Sequence, residues 1–187
     1  MTDPNGTTSY TYDYLGRLTS VTNPDQKTIS YQYDQNGNKT QLTDPNGGIT
    51  TYTYDDDNRL TEVTAPSSLT VYQYDSLGRQ TRLDYPNGTY TTFTYHPQRG
   101  WLTSIINHGP NETVISSYSY TYDNVGNRLS VTDISGTVTS YTYDNIYQLT
   151  SESKGPQDAT GYVYDKAGNR IRMLRNNEIN YTYNNNK

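Results

Sequence analysis

The large side chains of this chain fall neither in helical stripes nor in apolar runs. They come as tyrosines two residues apart, each pair followed at once by aspartate. The tetrad Tyr-x-Tyr-Asp stands at Tyr10, Tyr12, Asp13; Tyr31, Tyr33, Asp34; Tyr52, Tyr54, Asp55; Tyr72, Tyr74, Asp75; Tyr120, Tyr122, Asp123; Tyr141, Tyr143, Asp144; and Tyr162, Tyr164, Asp165. Two degenerate copies, Phe93-Thr94-Tyr95-His96 and Tyr181-Thr182-Tyr183-Asn184, extend the series to nine. Successive second tyrosines are 21, 21, 20, 21, 27, 21, 21 and 19 residues apart. A fixed period in that range is the signature of a repeat architecture. The spacing of two puts both tyrosines of a pair on one face of a strand, with residues such as Thr11 and Asp13 on the other.

Each unit carries two turn signals between stretches of strand-formers. The first follows the tetrad, with Asp13 and Gly16, Asp34 and Gly37, Asp75 and Gly78, Asp123 and Gly126, and Asp165 and Gly168 each three residues apart. The carboxylate accepts turn N–H bonds and the glycine takes a positive φ, which predicts a type I turn closed by a glycine bulge. The second signal is Asp3-Pro4-Asn5-Gly6, Asp44-Pro45-Asn46-Gly47, Tyr85-Pro86-Asn87-Gly88 and Asp133-Ile134-Ser135-Gly136, again the residues a type I turn favours. Between the turns lie Leu18–Thr22, Leu60–Thr64 and Leu129–Thr132, short and rich in threonine and β-branched residues. The chain thus reads as all-β, residues 1–187 forming one array of about nine hairpin units in a long, twisted antiparallel strip. The 27-residue step predicts a lengthened loop near 102–117.

One apolar position per unit, Val21, Leu42, Val63, Leu83, Val131 or Met173, keeps a constant offset from the second tyrosine. A further apolar residue slides: Leu129 and Ile171 precede that position by two, Leu18 and Leu60 by three. The odd separation implies either a bulge or a change of side. Composition sharpens the picture. The apolar set makes up only 30% of residues, and 22 tyrosines stand beside one Phe and one Trp. Any core is therefore expected to be tyrosine, whose ring buries apolar area while its hydroxyl finds a polar partner. The absence of cysteine excludes disulfides, thiol catalysis and thiolate metal sites. The two histidines, His96 and His108, do not make a zinc site. A net charge of −5 argues against nucleic acid as a partner. No apolar run reaches the roughly 20 residues of a membrane span, and no signal peptide is evident at the start.

Tyr12-Asp13-Tyr14-Leu15-Gly16-Arg17-Leu18-Thr19-Ser20-Val21-Thr22 and Tyr122-Asp123-Asn124-Val125-Gly126-Asn127-Arg128-Leu129 resemble the YD repeats of the Rhs family, which includes wall-associated bacterial toxins, the BC shell of Tc toxins and the teneurins. The resemblance implies a β-strip spiralling into a hollow shell that encloses a toxic C-terminal domain or serves adhesion, in a secreted or cell-surface protein. Its implied partners are further YD repeats and a toxin or plug domain. The Asp-Pro-x-Gly-Leu block of self-cleaving members is not matched, since Thr7 follows Gly6 and Gly48 follows Gly47. No toxin domain is expected within the chain, because the repeat runs to Tyr183.

No catalytic, cofactor or metal residue is assigned, because each tetrad aspartate recurs with the period where a turn needs it. Asp55-Asp56-Asp57 lacks the EF-hand spacing and reads as a solvated turn. Arg17, Arg59, Arg79, Arg128 and Arg170 are expected to pair with nearby carboxylates or to stack on tyrosine. Trp101, after Gly100, reads as a packed strand residue, with stacking on a ligand as its other role. Asn-x-Thr occurs at Asn5, Asn38, Asn87, Asn111 and Asn180, glycan acceptors only in a suitable secretory route. The leading expectation is a structural shell segment rather than an enzyme. The alternatives are a carbohydrate-binding or adhesive module, favoured if the tyrosine rows are exposed, and a filament assembled end to end through unpaired strand edges.

Overall fold

The computed structural model describes residues 2–3, 6–155, 157–176 and 178–182. No helix occurs among them, and none is therefore long and apolar enough to cross a membrane. The chain divides into two compact units, Met1–Tyr90 and Thr91–Lys187.

In the first unit a small hairpin, β1 (Thr2–Asp3) and β2 (Gly6–Thr7), precedes the repeats, with Asp3 opposite Gly6. Pro4 and Asn5 of that expected turn, and the Asn5 sequon, lie outside the described residues. The repeats follow as β3 (Ser9–Tyr12), β4 (Leu18–Thr22), β5 (Thr28–Tyr33), β6 (Lys39–Thr43), β7 (Ile49–Tyr54), β8 (Leu60–Ala65), β9 (Ser68–Tyr74) and β10 (Gln80–Asp84). Each strand from β3 to β10 pairs antiparallel with the next.

The second unit takes up β11 (Tyr90–Tyr95), which starts at the boundary, and continues with β12 (Leu102–His108), β13 (Val114–Tyr122), β14 (Arg128–Asp133), β15 (Val138–Tyr143), β16 (Leu149–Ser153), β17 (Ala159–Tyr164), β18 (Arg170–Arg175) and β19 (Glu178–Thr182). From β12 to β19 each strand again pairs antiparallel with its successor. Tyr183 and Asn184 of the last degenerate tetrad lie outside the described residues.

The expected lengthened loop at 102–117 is instead strand. Residues of the 27-residue step extend β12 to seven and β13 to nine residues, and the turn between them stays tight, closed by Gly109 N–H to Thr113 O at 2.8 Å. Leu102–His108 and Val114–Tyr122 are rich in β-branched and hydroxyl residues, which extend a ladder at less cost than they order a loop.

The choice between bulge and change of side is decided in favour of the bulge. Tyr12 lies opposite Leu18 while Thr11 lies opposite Ser20, so Thr19 is an extra residue. The same register shift sits beside Tyr33, Tyr54, Tyr74, Tyr122, Tyr143 and Tyr164. The sliding apolar residue is thereby explained: Leu18 and Leu60 face the second tyrosine, whereas Leu129 and Ile171 are the bulged residues themselves.

The expected tyrosine core takes a different form. No apolar side chain among the described residues is buried; the inner tyrosines are half-buried. Rings are covered by neighbours in the same sheet, as Tyr33 is by Arg17 and Tyr52 by Lys39, which leaves them partly open.

Candidate functional site

The feature that recurs in nearly every repeat is the seam along which one hairpin joins the next, and it is built from the second tyrosine, the bulge and the tip of the turn. The tips form as the sequence predicts. Asp13 N–H donates to Arg17 O at 2.9 Å and Gly16 N–H to Asp13 O at 3.0 Å, with Gly16 at φ 77°. The Asp13 carboxylate accepts N–H bonds from Leu15 and Arg17, both at 2.9 Å. Asp55, Asp75, Asp144 and Asp165 cap their turns in the same way. These bonds stabilise the charged form: the Arg17 backbone N–H holds Asp13 below the ordinary carboxylate range, the Arg59 backbone N–H does so for Asp55, and the Arg79 side chain for Asp75. Where the sequence lacks the glycine, Asn58 and Tyr147 take its place at φ 62° and 66°.

Pairing between one hairpin and the next stops short of the bulge, and a phenol bridges the remainder. Between β4 and β5 the paired register stops at Ser20 opposite Ser30, two residues short of Leu18. The Tyr33 hydroxyl then donates to Leu18 O at 2.8 Å. Tyr54 donates to Lys39 O, Tyr74 to Leu60 O, Tyr122 to Leu102 O, Tyr143 to Arg128 O and Tyr164 to Leu149 O, all between 2.6 and 3.0 Å. Each hydroxyl thus crosses from one repeat to the one before it and satisfies a carbonyl that the ladder has left behind. Partial burial raises the Tyr54, Tyr74, Tyr120 and Tyr143 phenols above their ordinary range. Tyr12, for which no such bond to an earlier strand is made among the described residues, is 60% exposed.

The residue after the tip reaches across the same seam in the other direction. Arg17 pairs with Asp13 at 2.7 Å, stacks 4.8 Å from the centre of the Tyr33 ring and donates to Asp34 O at 2.8 Å. Arg59 pairs with Asp55 and lies over Tyr74, with its guanidinium 3.2 Å from where a Cβ on Gly78 would stand. Arg128 and Arg170 stack on Tyr141 and Tyr162 as expected, and Lys39 covers Tyr52. Arg79 pairs with Asp75 at 2.6 Å.

Trp101 occupies the position of Arg17 and Arg59 in its repeat. Its ring lies 5.3 Å from Tyr122 and 6.2 Å from His96 between centroids, carries the Arg99 guanidinium 5.0 Å away, and presses on Gly126, where a Cβ would come within 3.1 Å. Arg99 ties the same corner to Asn124 O. His108 sits apart from this corner, on β12 beside Thr92. Asn38 is tied to Asp34 and Asn58, whereas Asn87 and Asn111 stand exposed in turns.

Sequence reasoning did not anticipate the phenol-to-carbonyl staple. A signal was present: Phe93, the chain's single phenylalanine, stands at a first tetrad position, and the second position is tyrosine in all nine copies. Turns at Asn23–Lys27, Gly109–Thr113 and Lys154–Asp158 also carry no Asp-Pro-x-Gly signature, yet each is closed by backbone bonds.

The RHS Repeat family model matches residues 1–28, 12–49, 33–70, 54–90, 74–114 and 122–157. The chain belongs to the RHS repeat family. Among solved structures, this RHS repeat chain is similar to TcdB2-TccC3-TEV, at 20% identity over 90% of this chain and 11% of that one, with a TM-score of 0.72. It is also similar to a component of the Photorhabdus luminescens Tc holotoxin pore carrying the TccC3-D651A mutation, at 23% identity over 83% of this chain and 9% of that one, TM-score 0.68. The TcdB2-TccC3-Cdc42 structure matches at 21% identity over 98% of this chain and 11% of that one, TM-score 0.68. The chain therefore spans about a tenth of the length of these structural relatives. No curated protein matches the sequence. The likeness is one of fold: tandem antiparallel hairpin repeats.

Proposed function

We propose that this chain is one continuous RHS repeat array acting as a non-catalytic wall segment of a secreted or surface protein, and that the wall encloses a toxic domain of the same parent. The observation that carries the reading is the use made of the repeat's polar groups. Tetrad aspartates are spent on capping turns, second tyrosines on stapling one hairpin to the last, and the cations on covering rings. Such groups build a sheet of uniform construction, which suits a wall. Likeness to Tc toxin structures supports the same setting, an extracellular toxin complex whose other parts are further repeats and a toxin component. Rings half-covered by neighbours and cations give less support to a sugar-binding face, which needs them bare.

The test is protease protection in the parent protein. The parent is expressed with the sequence that flanks this array, and the domain beyond it is followed by digestion with and without a paired Tyr54→Ala and Tyr143→Ala change. A wall predicts a protected domain that becomes digestible when the staples are removed. Equal digestion in both, or no further domain in the parent, would overturn the enclosing role.

A further inference from the structure

The longest hairpin of the second unit leaves part of its sheet unpaired. β13 runs from Val114 to Tyr122, but its register with β14 begins only at Tyr118 opposite Asp133. Beyond that point the chain turns away through Asp133–Thr137, closed by Asp133 N–H to Thr137 O at 3.0 Å. Val114–Ser117 therefore stand past the end of β14, paired with β12 on one side only. The ladder decides which main-chain groups are left over. Because Asp133 bonds towards β15, Tyr118 opposite it bonds towards β12, and Ser119 and Ser117 present their N–H and C=O to the β14 side. At the other end, Gly109 bonds to Thr113, so Val114 opposite His108 also presents its groups outward, with the register shift at Ile115 between the two.

The side chains at this notch are apolar and exposed: Val114 at 48%, Ile115 at 58%, and on the turn and next strand Ile134 at 54% and Val138 at 45%. The edge Val114-Ile115-Ser116-Ser117 carries no charge and no proline, two of the devices by which sheet edges are blunted; its register shift at Ile115 leaves Val114 and Ser117 facing outward. Asp133 is occupied by Ser135 and Thr137 of its own turn, while Glu112 stands exposed in the turn that precedes Val114.

We propose that the unpaired stretch Val114–Ser117 is a docking edge that takes an extended peptide segment as an added antiparallel strand, the incoming chain bonding to Val114 and Ser117 and setting β-branched, uncharged side chains against Ile115 and Ile134. An extended backbone is the occupant because Val114 and Ser117 both turn main-chain N–H and C=O groups to the same open edge, and a strand meets such groups in pairs. About four residues fill it. A shorter overhang occurs in the first unit, where Ser68–Thr70 of β9 pair with β8 and stand past Asp84, the end of β10; Val114–Ser117 is one residue longer and has Ile115 exposed along it.

The probe is a synthetic peptide, Lys-Thr-Val-Thr-Val-Thr-Lys, titrated against the full chain, with a copy N-methylated at alternate residues as control. Hydrogen exchange is read at Val114 and Ser117, and circular dichroism reports the fold. The expected result is binding of the plain peptide with slowed exchange at those two amides, and a loss of affinity of at least about tenfold for the N-methylated copy and for Ser117→Pro, which removes one outward donor. Ile115→Lys, which leaves the ladder with β12 intact, should weaken binding while the fold is retained, so a misfolded proline variant does not leave the matter open. Absence of binding at millimolar peptide would overturn the proposal. So would equal binding by the N-methylated copy, or self-association of the chain through this edge in place of peptide.

Discussion

At the scale of single residues, the two tyrosines of a tetrad do different work. The first offers its ring, as Tyr52 does to Lys39, and phenylalanine stands there at position 93; the second, in Tyr33 and its counterparts, also donates a hydroxyl across the seam. Tyr54→Phe is expected to cost about 1 kcal/mol, the net worth of a hydrogen bond to a carbonyl that water can partly reach. Tyr54→Ala should cost about 2–3 kcal/mol, below the range for fully buried aromatics because the ring is only half-buried. Tyr52→Phe should be nearly neutral, and denaturant melts of the three variants check the order. Glycine positions separate in the same manner. Gly126 and Gly136 both have positive φ, but a Cβ at Gly126 meets the Trp101 ring at 3.1 Å while one at Gly136 meets nothing within 4 Å. Gly126→Ala is therefore expected to destabilise more than Gly136→Ala by roughly 1–2 kcal/mol, the cost of overpacking added to that of backbone strain.

The element that repeats is a hairpin with an aspartate-capped tip, and its stability should follow the charge on that cap. Asp13, Asp55 and Asp75 titrate below the unfolded carboxylate value. A carboxyl with a depressed native pKa contributes stability that is present above the unfolded pKa, about 4, and is lost as pH falls through the native one. The half-buried phenols of Tyr54, Tyr74, Tyr120 and Tyr143 have the opposite sign: their contribution is present below about pH 10 and is lost as pH rises further. Thermal melts are expected to show a broad plateau between those limits, with the acid limb shifted in Asp75→Asn. Tyr147 offers the converse test. It holds a left-handed conformation at φ 66° and is exposed, so Tyr147→Gly should stabilise by about 0.5–1 kcal/mol, relief of left-handed strain less the entropy glycine adds to the unfolded chain.

For the whole molecule, the absence of buried apolar side chains among the described residues means that stability accrues between neighbours rather than at one centre. Repeats of this kind behave as a nearest-neighbour series. Removing one staple should therefore open the sheet locally. In Tyr143→Ala, amide exchange is expected to rise first in β14, β15 and β16 and least in β18, as measured by hydrogen exchange. A uniform rise across the second unit would mean that the sheet opens as a single cooperative block.

Much of this architecture was written in the sequence because it depends on local geometry. Spacing of two, the Asp-to-Gly interval and the 21-residue period follow from strand pleat and turn chemistry alone, and they led to an all-β array of hairpins and to the RHS repeat. Three features needed the tertiary structure. The bulge could not be separated from a change of face, because both place an odd number of residues between apolar positions and only the partner strand tells them apart. The phenol-to-carbonyl staple joins residues about 15 apart in sequence, as Tyr33 and Leu18 are, across a ladder whose end point no single strand reveals. The step at residues 102–117 went into longer strands, since the cost of a loop and the gain of a ladder differ only once β11 and β14 stand, or fail to stand, beside them.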